Sequence, residues 1–343
     1  MHNPPTMQDV ADAAGVGKAT VSLALRNDPR LKPATRAKIQ AVAEEIGYKA
    51  NATVATLMAQ LRASRTPKYQ ATLGIINAAK DPTMLKNIPT FRQWVTGSQH
   101  RATQLGYSLD HFWLHETGLT AARLTKVLDS RNIRGLIICA VLETGVLPET
   151  FHDLWHRYAA VAIGIRATYP PLNCASNDQY STALNATKEA LARGYKRPAL
   201  VINREVDALV DRRFSAGFWA GTCDLKEKQQ VPMFHFSSER MLAFHAWFKE
   251  HKPDCILGVH PQIKDWLQSM KEPANDVGLM HLDRSQDLVD WAGMDQNSER
   301  VGAAAVDMLV GQLHRNEIGV PVFAKSALVQ STWIDGPSVK QMK

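Results

Sequence analysis

Apolar and polar positions follow two different periods along this chain. Over the first fifty residues the period is helical. A helix is predicted through Met7–Ala14, capped by Thr6, whose side-chain oxygen can accept an orphan backbone N–H, with Asp9 at capping-box spacing. Gly15-Val16-Gly17 breaks it. A second helix, Lys18–Arg26, carries Val21, Ala24 and Leu25 on one stripe, and Asn27-Asp28-Pro29 ends it. A third opens at Pro33, suited to a first helical position, keeps Ile39, Val42 and Ile46 in register and stops at Gly47. Three short amphipathic helices can share one small core. The first two, joined by a tight glycine-containing turn, have helix-turn-helix form.

Beyond Asn51 a further helical stripe runs through Val54, Leu57, Met58 and Leu61. It is short and holds the β-branched Thr53, Val54 and Thr56, so an isolated helix there is marginal in water. RASRTPKYQ then reads as a polar, basic linker. From Ala71 strands and helices alternate. TLGIINA, YSLDHFWL, GLIICAV, AAVAIGI, PALVIN, VPMFHF, CILGV and VGLMHL are the strand candidates. Helices are predicted over Phe91–Leu105, Thr120–Ser130, Glu149–Arg157, Tyr180–Arg193, Arg212–Cys223, Glu239–His251 and Ile263–Met270. Repeated βα units imply parallel sheets with helices on both faces. Roughly 270 residues is long for one such sheet, and PPLNC is a plausible crossover between two. The expected divisions are 1–50, 51–70 and 71–343.

Composition narrows the class. The chain has 343 residues, 45% apolar and 21% charged, as in an ordinary globular protein. No apolar run reaches membrane-spanning length, and the N-terminus shows no secretory h-region, so no membrane partner is expected. Cys139, Cys174, Cys223 and Cys255 lie far apart, which fits a reducing cytoplasm better than a zinc or disulfide framework. The net charge is +7, and +5 of it falls in residues 1–70. That asymmetry suggests a polyanion partner, with a solvated basic face as the plain alternative.

In a helix-turn-helix the second helix lies in the major groove, with residues near its N-terminus meeting base edges. Here those are Lys18 and Ala19, with Leu23 one turn on. The hydroxyls of Thr20 and Ser22 can bond phosphates. A three-helix packing unit is the competing reading.

The stretch from Thr6 to Asn51 resembles the DNA-binding headpiece of the lac repressor/Gal repressor (LacI/GalR) family of bacterial regulators. The DVA-x-x-AGV turn, the TVS triplet, the TR opening of the third helix and the GY-x-x-N exit carry the likeness. It implies base reading by Lys18, Ala19 and Leu23. Backbone contacts would fall to Gly17, Thr20, Ser22, Arg26, Arg30, Thr35, Tyr48 and Asn51, with Thr6 at the start of the motif. Segment 51–61 is similar to the family's hinge helix, which pairs over the minor groove, and Leu57 matches the residue that wedges between base steps. Two departures stand out. The family has Ser or Thr where Gly17 stands and Arg where Leu23 stands. Loss of a bidentate guanine contact is worth about 1–3 kcal/mol of discrimination, while Leu23 can touch a thymine methyl.

GIIN, LGY, RGLII, the run Asp178–Tyr195 and R-x-x-x-GF at Arg213–Phe218 resemble the family's effector core, a pair of Rossmann-like lobes of the periplasmic-binding-protein type (type I). VGAAAVDMLVGQLHRNEIG is similar to the helix that returns to the first lobe. The fold class implied is α/β: a three-helix headpiece plus this two-lobed core. Such folds bind ligands beyond the carboxyl ends of their strands. The candidates by position are Asn77, Phe91 and Arg166 from the first lobe, and Arg213, Phe214, His260 and Asp283 from the second. Phe214 stands where the family places Arg, His260-Pro261 replaces an Asn-Asp pair, and Leu282 replaces an Asp. These departures argue against a simple hexose.

Enzyme signatures are thin. His152 and His156 share a helix face, but Asp153 is too short for the general base of a zinc protease and no third ligand is evident. His111 and His115 fall in a predicted strand without metal geometry. No phosphate-binding glycine loop or nucleophile elbow is present. The sequence therefore predicts a non-enzymatic, cofactor-free, homodimeric DNA-binding transcriptional regulator, a repressor. It would bind double-stranded operator DNA under control of a small-molecule effector, a sugar being one candidate. A carbohydrate-binding protein whose N-terminal helices serve only in association is the alternative.

Overall fold

The computed structural model describes residues 5–25, 27–48, 71–141, 145–237, 241–270 and 276–342. Three helices come first: α1 (Met7–Ala14), α2 (Lys18–Leu25) and α3 (Pro33–Glu45). The capping box of α1 is formed as predicted. Thr6 Oγ1 accepts from Asp9 N at 3.3 Å, and the Asp9 carboxylate accepts from Thr6 N at 2.6 Å. Gly15 ends the helix in the left-handed region at φ +68°, where a β-carbon would be strained. Val10, Ala11, Ala14, Val21, Ala24, Ile39 and Ala43 make one small buried core. Leu25, Val42 and Ile46 pack at its margin, and Ala43 takes the interior place.

Lobe one begins with β1 (Ala71–Asn77), α4 (Met84–Asn87), α5 (Pro89–Gln104) and β2 (Tyr107–Trp113). It continues through α6 (Ala121–Ser130), β3 (Gly135–Cys139), α7 (His152–Arg157), β4 (Ala159–Ile163) and β5 (Asn173–Asn177). Lobe two holds α8 (Gln179–Ala192), β6 (Pro198–Asn203), α9 (Arg204–Leu209), α10 (Arg213–Thr222), β7 (Phe234–Phe236) and α11 (Met241–His251). It goes on through β8 (Cys255–Gly258), α12 (Ile263–Gln268), β9 (Gly278–His281) and β10 (Ala292–Asp295). The chain then returns to lobe one with α13 (Ser298–Arg315) and β11 (Ser326–Val329), and ends in lobe two with β12 (Thr332–Ile334).

Each lobe is built on a six-stranded sheet, in the orders β11-β5-β4-β3-β1-β2 and β12-β10-β9-β8-β6-β7. Every pairing is parallel except β10 with β12. The central strands are apolar along their whole length: β3 and β4 are buried at every residue, as a sheet covered on both faces requires. Separate cores fill the two faces of each sheet. The returning helix α13 crosses α5 backbone to backbone. A β-carbon on Gly97 would lie 1.9 Å from Glu299 O, and one on Gly302 would lie 2.2 Å from Trp94 O.

The crossover differs from expectation. PPLNC leads into β5, still in lobe one, and the chain changes lobes only after Asn177. Of two further crossings, the one between β10 and α13 is the return to the first lobe that VGAAAVDMLVGQLHRNEIG implied, and the one between β11 and β12 was not foreseen. The three are laced together. Asn177 Nδ2 donates to Gln296 O at 2.7 Å, Asn297 Nδ2 to Gln330 O at 2.9 Å, and Thr182 Oγ1 to Ser331 Oγ at 3.0 Å. Three hydrogen-bonded crossing segments between two lobes have the form of a hinge. Among the described residues no helix is long and apolar enough to cross a membrane.

Candidate DNA-reading helix and interlobe cleft

Gly17 sits at the N-cap of α2, and its carbonyl accepts from Thr20 N at 2.8 Å and Val21 N at 3.1 Å. A β-carbon there would meet nothing closer than Thr20 Oγ1 at 4.0 Å, so the position has room to branch toward the missing Ser or Thr. Val21 and Ala24 point into the headpiece core, which leaves Lys18 and Ala19 exposed and Thr20, Ser22 and Leu23 half-buried. Thr35 is half-buried near the start of α3.

Other predicted contacts are already engaged. The Thr6 hydroxyl donates to Asp9 Oδ2 at 2.8 Å within the cap. The Arg30 guanidinium grips Asp28 with two bonds of 2.9 and 2.8 Å, and these bonds hold the Asp28 carboxyl down at about 2. Tyr48 packs against the headpiece core. Arg26, Asn51 and Leu57 lie outside the described residues, as does the predicted hinge helix.

The strand ends facing the other lobe carry the cleft candidates, and most are turned toward protein partners. Asn77 is buried: its Nδ2 donates to Asp81 O at 3.0 Å and its Oδ1 accepts from Ala79 N at 3.0 Å, holding its own loop. Phe91 stacks on Trp94 with centroids 4.8 Å apart. Phe214 is only 3% exposed and belongs to the core of lobe two, which corrects its placement in the cleft. Its neighbour on the stripe, Phe218, is buried with it, because residues four apart on a helix share a face. His260 Nε2 accepts from Asn203 N at 3.3 Å, and its ring stands edge-on to Phe236 at 5.0 Å. Burial pushes both His260 and His281 down to about 4, so both rings are neutral near pH 7.

Among the described residues, three side-chain links span the lobes away from the hinge. Thr90 Oγ1 donates to Asp283 Oδ2 at 2.7 Å, Arg166 Nη2 to Asp211 Oδ2 at 2.5 Å, and Arg92 Nη2 lies 3.8 Å from Asp287 Oδ2. In each, lobe one supplies the donor and lobe two the carboxylate. Burial raises the Asp283 carboxyl above its ordinary value, and the Thr90 hydrogen bond opposes that shift. Sequence reasoning missed Thr90 and Asp211; the signal for Asp211 was the charged run Asp211-Arg212-Arg213 between α9 and the start of α10.

A Ser/His/Asp grouping also went unforeseen. Ser215 Oγ donates to the buried Asp207 at 2.6 Å and lies 3.0 Å from His235 Nε2. Nucleophilic catalysis needs the imidazole between serine and carboxylate. Here the hydroxyl is the central member, so the group ties α9, α10 and β7 together. His152 and His156 have ring centroids 4.6 Å apart on α7, and among the described residues no cluster of three metal-ligating side chains forms around them. His115 lies beyond the end of β2, against Ala78 O at 3.2 Å, instead of within the strand.

Comparison with known proteins fits this architecture. Residues 6–51 match the family described as bacterial regulatory proteins, lacI family. The chain is 20% identical over 198 residues to the HTH-type transcriptional regulator MalR of Streptococcus pneumoniae, covering 58% of this chain and 57% of that protein. It is 24% identical over 324 residues to the HTH-type transcriptional regulator PtxS of Pseudomonas putida, covering 90% and 89%. Its fold superposes on the lac repressor dimer bound to operator and the anti-inducer ONPF with a TM-score of 0.54 at 18% identity, covering 98% and all of that chain. The headpiece segment 6–51 thus matches the lacI family of bacterial regulatory proteins, and the two-lobed core shares the fold of the lac repressor.

Proposed function

We propose that this chain is a sequence-specific DNA-binding transcriptional regulator, a repressor that acts as a homodimer on a near-palindromic operator. The observation that carries this reading is the capped helix-turn-helix with an exposed α2 start, within the segment that matches the family. Lys18, Ala19 and Leu23 read base edges, while Gly17, Thr20, Ser22, Thr35 and the helix N–H groups meet phosphates. Arg30 reaches a phosphate only by giving up part of its bond to Asp28. Arg26, Asn51 and Leu57 complete the contact surface. One headpiece buries too little for high specificity, which favours a dimer.

The two lobes control the headpieces through a small molecule held between them. A molecule shifts operator affinity only by as much as it prefers one lobe arrangement over another. Cross-lobe links such as Thr90–Asp283 are the contacts whose making and breaking distinguish those arrangements. The test is titration of the purified chain against the DNA upstream of its own coding region, at several salt concentrations. Tight binding with a steep loss of affinity in log salt supports the reading. Equal, weak binding to every fragment overturns it.

A further inference from the structure

The ion pair between Arg166 and Asp211 has a third member. Arg213 Nη2 lies 3.7 Å from the same Asp211 oxygen that Arg166 holds at 2.5 Å. Two guanidinium groups, one from each lobe, share a single carboxylate. The two arginines are not equally satisfied. The Arg213 side chain is only 21% exposed, yet among the described residues its guanidinium makes no hydrogen bond, and Asp211 at 3.7 Å is its one ion-pair partner. A guanidinium carries five N–H donors and no acceptor, and a largely buried cation is unfavourable until those donors are paired. The buried carboxylate of Asp207 on the same lobe is taken by Ser215 and His235. Asp211 itself is exposed and stands on a short left-handed turn, with φ +56° at Asp211 and +57° at Arg212. A carboxylate on so exposed a turn can leave without disturbing a packed core.

We propose that Arg166 and Arg213 form an anion seat across the lobes, filled in the resting chain by Asp211, and that the controlling small molecule carries a carboxylate or a phosphate that displaces it. The inference rests on the regulatory reading above. It goes further by naming the chemical class of the molecule and the internal group it competes with. An incoming anion would supply the missing acceptors of Arg213 and keep Arg166 paired. Because the two arginines belong to different lobes, its binding would bear directly on the lobe arrangement.

The test uses the full chain and inorganic phosphate as probe, at constant ionic strength, read by calorimetric titration. Asp211→Asn removes the internal competitor and is expected to tighten phosphate binding by about tenfold. Asp211→Asn/Arg213→Gln is expected to abolish that gain while circular dichroism shows the fold retained. Phosphate binding no tighter in D211N than in the unaltered chain overturns the proposal, and so does a gain that survives R213Q. Glucuronate, glucose 6-phosphate and glucose then separate the two sources of charge. Whichever acid responds to D211N identifies the group, and glucose responding as strongly as both acids overturns the proposal. Operator binding by the unaltered chain is measured alongside. It persists if only the anion seat is wrong and is absent from the outset if the regulatory reading is wrong.

Discussion

Seven buried residues, none larger than isoleucine, hold the headpiece together, whereas each lobe packs large side chains on both faces of a six-stranded sheet. The polar groups differ as much as the cores. The headpiece turns its apolar stripe inward and leaves the start of α2 open to solvent. At the cleft, Asn77, Arg166, His260 and Asp283 are all occupied by partners within the chain. An open reading face binds whenever its target is present. On the proposed reading, a cleft closed on its own aspartates responds only to a molecule that competes with those links or reinforces them, so that control lies in the core and recognition in the headpiece.

The sharpest way to break that division is to unfold one part alone. Ile39→Ala removes a large share of a very small core and should destabilise the headpiece by about 2–5 kcal/mol. Calorimetry is expected to show the headpiece transition lost, operator binding lost with it, and the melting of the lobes unchanged. Lobes that melt together with the headpiece would break the comparison. Next in size, Lys18→Ala should cost about 1–3 kcal/mol of operator binding if Lys18 meets a base, and should lower the salt slope by about one if it meets a phosphate. An unchanged affinity and slope would remove Lys18 from the reading face.

Thr90→Val tests the cleft. It takes the cross-lobe donor from Asp283 and should weaken closure by about 1 kcal/mol, seen as faster amide exchange at the α5 N-terminus. The same carboxyl supplies a pH test. Its folded-state value is raised above 3.8, so the folded core takes up its proton before the unfolded chain does. Stability from this group is therefore present at and below pH 3.8 and is lost as pH rises through the raised value. Asp283→Asn should flatten that part of the profile, and Thr90→Val should move it to higher pH. Acid-side melts that ignore both substitutions would count against a buried, cleft-closing carboxyl. The smallest effect belongs to Gly17→Ser, which adds an N-cap hydroxyl to α2 where there is room for it. A gain of a few tenths of a kcal/mol in headpiece stability is expected. A loss would mean that the N-cap of α2 is tighter than its open surroundings indicate.

The headpiece was legible because its signals are local. Thr6 and Asp9 are three residues apart, Pro33 opens the third helix, and glycines close the first and the third. Strands β3 and β4 were legible for a related reason: burial on both faces demands continuous apolar runs. Strand β5 was not. Asn173, Cys174, Ala175, Ser176 and Asn177 read as a polar connection, yet all five are buried, because β5 lies between β4 and β11 and its polar groups find partners such as Gly164 O and Gln296 O. The short strands β10, β11 and β12 depend on neighbours distant in sequence, and so do the cleft links. Thr90 and Asp283 are 193 residues apart, beyond the reach of any periodicity. Phe214 shows the converse failure: its spacing from Phe218 marked a core stripe that the positional likeness to a ligand-binding arginine obscured.

The account stands most directly on the coupling of the exposed α2 face to duplex DNA. Fluorescence anisotropy with the chain's own upstream DNA and a scrambled duplex of equal length, at two salt concentrations, measures it. The prediction is a Kd of about 10 nM or tighter for the specific duplex at physiological salt, at least about a thousandfold tighter than for the scrambled one, with both weakening steeply as salt rises. Equal affinity for the two duplexes, or binding indifferent to salt, would contradict it.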